Sequence, residues 1–311
     1  VGRLIIWLKA LRAPFFTASA MSVVAGAGVV AWTGSTRLTA GGATVNVAAF
    51  VITLVGVVAL HAGANLTNDY FDHLSGNDAG NLYFNQFSGG SRVIQEGLIP
   101  ARKILRAAVT AFVIAFLCGA ALWVDRGGWA MPVLGFAGLF GGYLYTAPTI
   151  KLAYRGAGEA VVGLTFGPLV TMGTYSVQRF SVTWEAFWCG VPIGILVALI
   201  LLVNEFPDYE ADKAAGKRTL IVRLGRTAGV PLCAALYAAV YGCTIYLAAA
   251  GRMPKGALWT LVTLPGAAFV VAWMWRHRYS PRQLVASSAA GVLTHLAYAV
   301  VLSAAYFLSA R

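Results

Sequence analysis

The chain has 311 residues, 59% hydrophobic and 11% charged, with a mean hydropathy of +0.73. A soluble domain carries about 25% charged residues, so there is too little polar surface here to face water, and the solvent must be lipid. The net charge of +12 points to nucleic acid in a soluble chain, but in a polytopic membrane protein it reflects Lys and Arg gathered on the cytoplasmic side, and no nucleic-acid partner is expected.

Nine apolar stretches, each long enough to cross a bilayer, predict an all-α polytopic membrane protein with one transmembrane domain over 1–311. The first span covers 13–34. Its basic flank, with Arg3, Lys9 and Arg12, suits a signal anchor better than a cleaved signal. The second, 46–66, runs straight into Asn68-Asp-Tyr-Phe-Asp72 and a long polar connection to about residue 104. Spans three and four cover 105–124 and 129–147. Span five, 158–177, carries Gly163-x-x-x-Gly167, which reads as close helix packing, and a polar stripe at Gly167, Thr171, Thr174 and Gln178. Span six, 185–203, runs into Asn204-Glu-Phe-Pro-Asp208 and a second polar connection to about residue 227. Pro207 has no N–H for the carbonyl of Val203 and marks an expected helix break. Spans seven to nine cover 228–250, 256–275 and 284–308, the last with a stripe at Gly291, His295 and Tyr298. The four cysteines fall at or inside spans without metal-ligand spacing and read as small buried residues.

Seventeen of the 23 Lys and Arg residues fall on the face that holds the N-terminus and the connections after even-numbered spans. The other face holds Arg37, Arg126, Arg179, Arg252, Lys255 and Arg311. This asymmetry predicts an N-inside, C-outside orientation with both Asp-rich connections cytoplasmic. Both acidic segments read Asn-x-x-x-Asp after an even-numbered span, four spans apart. That spacing suggests an internal duplication of spans 1–4 and 5–8, followed by a ninth.

Seven of the 11 acids lie in two windows: Asp69, Asp72 and Asp78, then Glu205, Asp208, Glu210 and Asp212. Residues four apart share a helix face, so Asn68 points with Asp72, and Asn204 with Asp208 and Asp212. Asp69, one position along, points about 100° away. Extending the second span backwards adds His61 and Asn65 to its stripe. Polar stripes on three spans imply a polar cavity inside the bundle. An Asp at the centre of a membrane helix costs about 2.5–3.5 kcal/mol, and two carboxylate clusters at one mouth repel each other unless a cation lies between them. Mg²⁺ takes carboxylate oxygens and keeps positions for water and phosphate, and the His/Cys pattern of a zinc site is missing. The candidate metal ligands are Asn68, Asp72, Asp78, Asn204, Asp208 and Asp212. Arg92, Lys151, Arg155, Lys213, Lys217 and Arg218 stand beside them, as a diphosphate would require, and Gly89-Gly90 can bring backbone N–H groups to an anion. His61 and His295 suit either an interhelical hydrogen bond or, with Asn65 and Thr171, the wall of a cavity for an acceptor or an apolar tail.

With both acidic motifs, the segment Tyr145-Thr-Ala-Pro-Thr-Ile-Lys151 and the nine-span layout, essentially the whole chain resembles the UbiA superfamily of membrane prenyltransferases. Gly89-Gly-Ser-Arg-Val-Ile-Gln-Glu-Gly-Leu98, Tyr154-Arg-Gly-Ala-Gly-Glu159 and Asp212-Lys-Ala-Ala-Gly-Lys-Arg-Thr219 look like its 1,4-dihydroxy-2-naphthoate polyprenyltransferase branch, which serves menaquinone synthesis. The resemblance implies nine helices around a central cavity in a prokaryotic plasma membrane, a polyprenyl diphosphate donor, an aromatic acceptor and two Mg²⁺ ions. Asp72, Asp208, Lys151 and Tyr145 would then be catalytic, with Arg155 near the diphosphate and Arg12 on the head-group side. The implied reaction ionises the allylic C–O bond in a dry cavity, after which the acceptor ring attacks and, for a dihydroxynaphthoate, CO₂ is lost. The superfamily repeats an Asp four residues after the first motif. Here that position is Gly76 and the next acid is Asp78, a spacing that itself looks like the naphthoate branch.

Two rivals are weaker. An ion-coupled transporter should carry a midplane site and an inverted repeat, whereas both acidic segments lie at one edge and four spans separate them. A CDP-alcohol phosphotransferase requires an Asp-Gly-x-x-Ala-Arg segment, which the sequence lacks. Other prenyl acceptors (4-hydroxybenzoate, homogentisate, haem or a glycerol phosphate lipid) remain open at the level of sequence.

Overall fold

The structure, a computed structural model, describes residues 2–36, 45–147 and 149–310, so Arg37, Pro148 and Arg311 lie outside the described residues. Among these the chain is all helical. An amphipathic helix α1 (Arg3–Ala10) precedes one tight turn and α2 (Phe16–Thr36). Then come α3 (Val47–Ser75), the single turn α4 (Asn77–Gly80), α5 (Ala101–Arg126) and α6 (Ala130–Leu144). The second half has α7 (Gly158–Leu164), α8 (Val170–Arg179), α9 (Trp184–Ala214), the short α10 (Leu220–Leu224), α11 (Arg226–Ala249), α12 (Leu264–His277) and α13 (Val285–Leu308). Eight helical segments among the described residues are long and apolar enough to cross a membrane, and α6 is a shorter apolar ninth. The predicted spans are thus all helices.

Two boundaries differ from the sequence expectation in a way that matters. The second and sixth spans do not end where the polar residues begin. α3 runs to Ser75 and α9 to Ala214, so both acidic motifs ride on continuous helices and not on loops. Nor does Pro207 break its helix; α9 passes through both Pro192 and Pro207. α3 stops at Gly76, whose φ of 78° is a left-handed cap that a side chain would disfavour.

α9 is apolar all round, and a helix of that kind belongs inside. Of its apolar window 72% is buried, against 11% for α5, which faces lipid. α7 and α8 form one span joined by a π-turn at Thr165–Leu169 that contains Pro168. This span presses on α9 through glycines: a Cβ on Gly167 would lie 2.4 Å from the Gly190 carbonyl oxygen, and one on Gly194 would lie 2.2 Å from that of Gly163. The expected close packing at Gly163-x-x-x-Gly167 is therefore present, with Gly190-x-x-x-Gly194 as its counterpart. At the end of the bundle that carries the acidic motifs, α1 and residues 81–100 fold over α3 and α5 on a small core of Ala10, Leu66, Val93, Ile99, Ile104 and Ala108.

Candidate active site

The motif-bearing ends of α3 and α9 face each other across a cavity of about 190 Å³. On α3, Asn68 Nδ2 donates to Asp72 Oδ2 at 3.0 Å, as their four-residue spacing requires. The other Asp72 oxygen accepts from the Tyr154 hydroxyl at 2.9 Å. Asp69 turns away, held by Arg12 and by the Ser91 amide N–H. On α9, Asp208 accepts from Asn81 Nδ2 at 2.7 Å and from the Gly89 N–H at 3.1 Å. Asp212 accepts from Asn77 Nδ2 at 3.2 Å. The Gly89 N–H therefore does meet an anion, but a carboxylate of the protein itself. A Cβ on Gly90 would fall 2.6 Å from Asp78 Oδ2, so only glycine lets the loop lie on that carboxylate.

One cation joins the two motifs. Lys217 Nζ lies 3.2 Å from Asp72 Oδ2 and 3.7 Å from Asp212 Oδ1. Burial alone would depress this ammonium, but Asp212 and Asp72 outweigh burial and raise its pKa well above the usual lysine range. Arg12 behaves alike: burial works against its charge, and Asp69 more than restores it. Among the described residues no cation meets the Asp78 carboxylate. Burial, then the neighbouring Asp72 and Asp69, push its carboxyl up to about 8. The Tyr154 phenol is raised by burial and by Asp72, so it stays a proton donor toward that carboxylate.

Most predicted site residues line this cavity: His61, Asn65, Asn68, Asp72, Asp78, Tyr145, Asn204, Asp208, Asp212 and Lys217. The other proposed phosphate ligands are elsewhere. Lys151 does not line the cavity; its Nζ lies 5.1 Å above the Tyr154 ring. Arg92 reaches back to the Asp78 carbonyl and stacks on Phe84. Lys213 sits over Tyr209, and the side chains of Arg155 and Arg218 are exposed. Thr171 donates to the Ala186 carbonyl at 2.7 Å, fastening α8 to α9. His295 is fully buried in α13, away from the cavity, with neither ring nitrogen hydrogen-bonded. At the deep end, His61 contacts Ser19 Oγ through Nδ1 at 3.1 Å and meets Phe16 and Phe166 edge-on.

Several residues take a part in the site that their place in the sequence does not assign them. Glu159 and Glu205 accept from the Leu220 and Ile221 N–H groups at 3.0 and 3.1 Å, clamping the segment that carries Lys217. Glu159 ends the segment Tyr154–Glu159, whose resemblance gives it no role of its own, and Glu205 is one of the acids of the second window without a ligand's spacing. Asn77 lines the cavity, while Asn81 and Tyr154 do not but bond to Asp208 and Asp72; all three lie in short or irregular stretches where periodicity carries no signal. In all, six carboxyl groups (Asp72, Asp78, Glu159, Glu205, Asp208 and Asp212) and only two cations, Arg12 and Lys217, line the cavity.

Such an excess of buried acid fits a hard divalent cation. The donor set is all oxygen, and the side-chain oxygens Oδ1 of Asn77 and Oδ1 of Asn204 are buried without a partner. Among the described residues no three His, Cys, Asp or Glu side chains converge into a cage. An ion that completes its shell with water and substrate phosphate does not need one.

The family model for the UbiA prenyltransferase family matches residues 15–297. The 2-carboxy-1,4-naphthoquinone phytyltransferase of Synechocystis sp. is 27% identical over 308 residues, 97% of this chain and 92% of that protein. The 1,4-dihydroxy-2-naphthoate octaprenyltransferase of Mycobacterium tuberculosis is 31% identical over 222 residues, 70% of each chain. Among solved structures, a UbiA homolog from Archaeoglobus fulgidus bound to GPP and Mg²⁺ superposes with a TM-score of 0.60 at 16% identity, covering 96% of this chain and 99% of that one. The apo form of a homolog from Aeropyrum pernix K1 gives 0.64 at 16% identity, covering 94% and 97%.

Proposed function

The chain is an integral membrane prenyltransferase of the UbiA family, and from that premise we propose that it joins a polyprenyl group to 1,4-dihydroxy-2-naphthoate. The observation that carries the site assignment is the charge imbalance of the cavity, where both motifs converge on one buried volume with six carboxyl groups and two cations. The acceptor rests on the relatives named for naphthoate or naphthoquinone substrates.

In this reading Asp72 and Asp78 from one side, and Asp208, Asp212 and Asn204 from the other, would hold Mg²⁺. When bound, Mg²⁺ supplies positive charge to the departing diphosphate oxygens. Lys217, already between the motifs, adds a charge-assisted contact to the same oxygens. Tyr154 and Asn68 keep Asp72 in its orientation through the bonds described above. Around His61 and Phe166 the wall turns aromatic and apolar. Such a wall disfavours water, so an allylic cation formed there would meet the electron-rich ring first. The bond broken is the donor's C1–O bond. The bond made is from C1 to the ring carbon bearing the carboxylate, which leaves as CO₂.

Purified protein in lipid nanodiscs, supplied with labelled polyprenyl diphosphates and a panel of acceptors, tests this. Carboxyl-labelled 1,4-dihydroxy-2-naphthoate should release labelled CO₂ in step with prenylated product, and EDTA should stop both. Product from 4-hydroxybenzoate or homogentisate, with none from the naphthoate, would overturn the acceptor assignment.

A further inference from the structure

The outward face of α5 changes character along its length. The helix buries Ile104, Ala108 and Ala111 against its neighbours. It turns Val109, Val113 and Leu117 outward, 54%, 48% and 58% exposed. Arg102 and Arg106 stand on that same face, since positions 102, 106, 109, 113 and 117 are spaced by three or four residues and form one row. Lys103, also exposed, sits beside the row. Among the described residues none of these three cations forms an ion pair. A charge that sets topology need only lie at the correct end of a span; nothing in that role asks it to head a row of lipid-facing side chains. From Arg106 to Leu117 the row is about 17 Å long at 1.5 Å per residue, close to half of a hydrocarbon core of about 30 Å.

α1 adds a second surface. Its Ile6, Trp7 and Ala10 pack on the small core that also holds Ile104 and Ala108 of α5. Leu4, Ile5 and Leu8 turn away from that core and are 71%, 60% and 44% exposed. An uncovered apolar face next to basic residues suits the boundary between headgroups and acyl chains, where amphipathic basic helices lie. α1 and residues 93–110 together carry five cations, Arg3, Lys9, Arg102, Lys103 and Arg106, against one acid, Glu96. That acid is taken by Lys9 at 2.6 Å. α1 also reaches the site. Two residues beyond its end, Arg12 has a left-handed backbone with φ of 52°. The Arg12 guanidinium donates to Asn68 Oδ1 at 3.0 Å and to Asp69. Whatever holds α1 in place therefore holds a residue that orients the first motif.

We propose that these faces of α5 and α1 seat an anionic phospholipid of the surrounding leaflet, its phosphate among Arg102, Lys103 and Arg106 and an acyl chain along Val109, Val113 and Leu117, and that this lipid steadies α1 and the Arg12 turn. The unpaired cations select an anionic headgroup over a zwitterionic one. The apolar row beneath them selects a lipid over a soluble anion. The seat rests only on the membrane location of the chain. Its effect on turnover rests also on the prenyl-transfer activity, and neither depends on the identity of the acceptor.

The test uses nanodiscs of phosphatidylglycerol and phosphatidylcholine in equal parts, with native mass spectrometry to read which lipid stays on the protein. The parent should retain phosphatidylglycerol in preference. In the triple variant Arg102→Gln, Lys103→Gln, Arg106→Gln that preference should fall about tenfold or more, since each cation near a bilayer surface contributes about fivefold. The double variant Arg102→Lys, Arg106→Lys should keep it. An unchanged preference in the triple variant, or an equal loss in the charge-keeping one, would overturn the seat. A second measurement needs no variant: phosphatidylglycerol with a diazirine on its acyl chain should label α1 and the first half of α5, and labelling spread evenly over the lipid-facing spans would also overturn it. The parent's kcat with geranylgeranyl diphosphate should be higher in these nanodiscs than in phosphatidylcholine alone, and the triple variant's the same in both. Equal parent turnover in the two bilayers would break the link to Arg12. Loss of geranylgeranyl diphosphate binding in the triple variant, with the lipid preference intact, would make the patch a surface for the donor instead. Prenyl transfer absent in both bilayers would count against the assigned reaction, while the lipid preference still decides the seat.

Discussion

At the scale of single residues, the site turns on which cation meets the diphosphate. Lys151 is the lysine that the motif resemblance favours, yet it does not line the cavity and lies over Tyr154, while Lys217 lines it between Asp72 and Asp212. Removing a charge-assisted contact costs about 1.5–3 kcal/mol. Lys217→Gln should therefore lose roughly 10- to 150-fold, mostly in kcat if the contact strengthens as the diphosphate departs. Lys151→Gln should lose less. Steady-state kinetics with varied donor check both, and a larger kcat loss in the Lys151 variant would reverse the assignment. The sequence announced the carboxylates clearly, because Asn-x-x-x-Asp is periodic and an acid within an apolar span is costly. It could not rank the lysines. Six of the candidate basic residues cluster near the motifs, and which one turns inward depends on loop paths that have no period to read.

At the scale of elements, the segment between α9 and α10 shows how a loop becomes part of a rigid site. Glu159 on α7 and Glu205 on α9 each accept one N–H at the start of α10, and the Arg218 N–H donates to the Tyr154 carbonyl at 3.2 Å. Lys217 thus hangs from three anchored points. Glu159→Ala removes one of them, at a cost of about 1–3 kcal/mol. The expected outcome is faster tryptic cleavage after Lys213, Lys217 or Arg218 in the folded protein, together with a lower kcat. Unchanged cleavage kinetics would show that the clamp is not needed. Proline was a misleading signal at this scale. A single missing N–H at Pro207 reads as a break in isolation, but α9 is the most enclosed of the spans, and its neighbours hold the helix straight through.

At the scale of the whole molecule, the helical class and the eight to nine spans were readable from hydropathy, because lipid permits few ways to satisfy a backbone. The unforeseen parts were short and irregular: α1, α4, the π-turn and the folded connection over the motif end. Their amphipathic or polar sequences carry no long apolar period. The orientation remains an expectation from the basic asymmetry. With Cys118 and Cys243 replaced by Ala, Arg102→Cys should resist a membrane-impermeant maleimide added to intact cells, and Lys255→Cys should react. The reverse pattern would invert the molecule and set the diphosphate site outside the cell.

The glycine contact between α7 and α9 has a consequence for genetics. Where a Cβ would fall 2.2–2.4 Å from a facing carbonyl, even alanine forces two central helices apart. A saturation screen scored on growth would return Gly167, Gly190 and Gly194 beside Asp72 and Asp208 as intolerant, with Gly163, where a Cβ would stand 3.1 Å from the Gly194 carbonyl oxygen, more forgiving. Scoring the amount of folded protein in the membrane would separate them: the glycine alleles should be scarce, and the aspartate alleles abundant but inert.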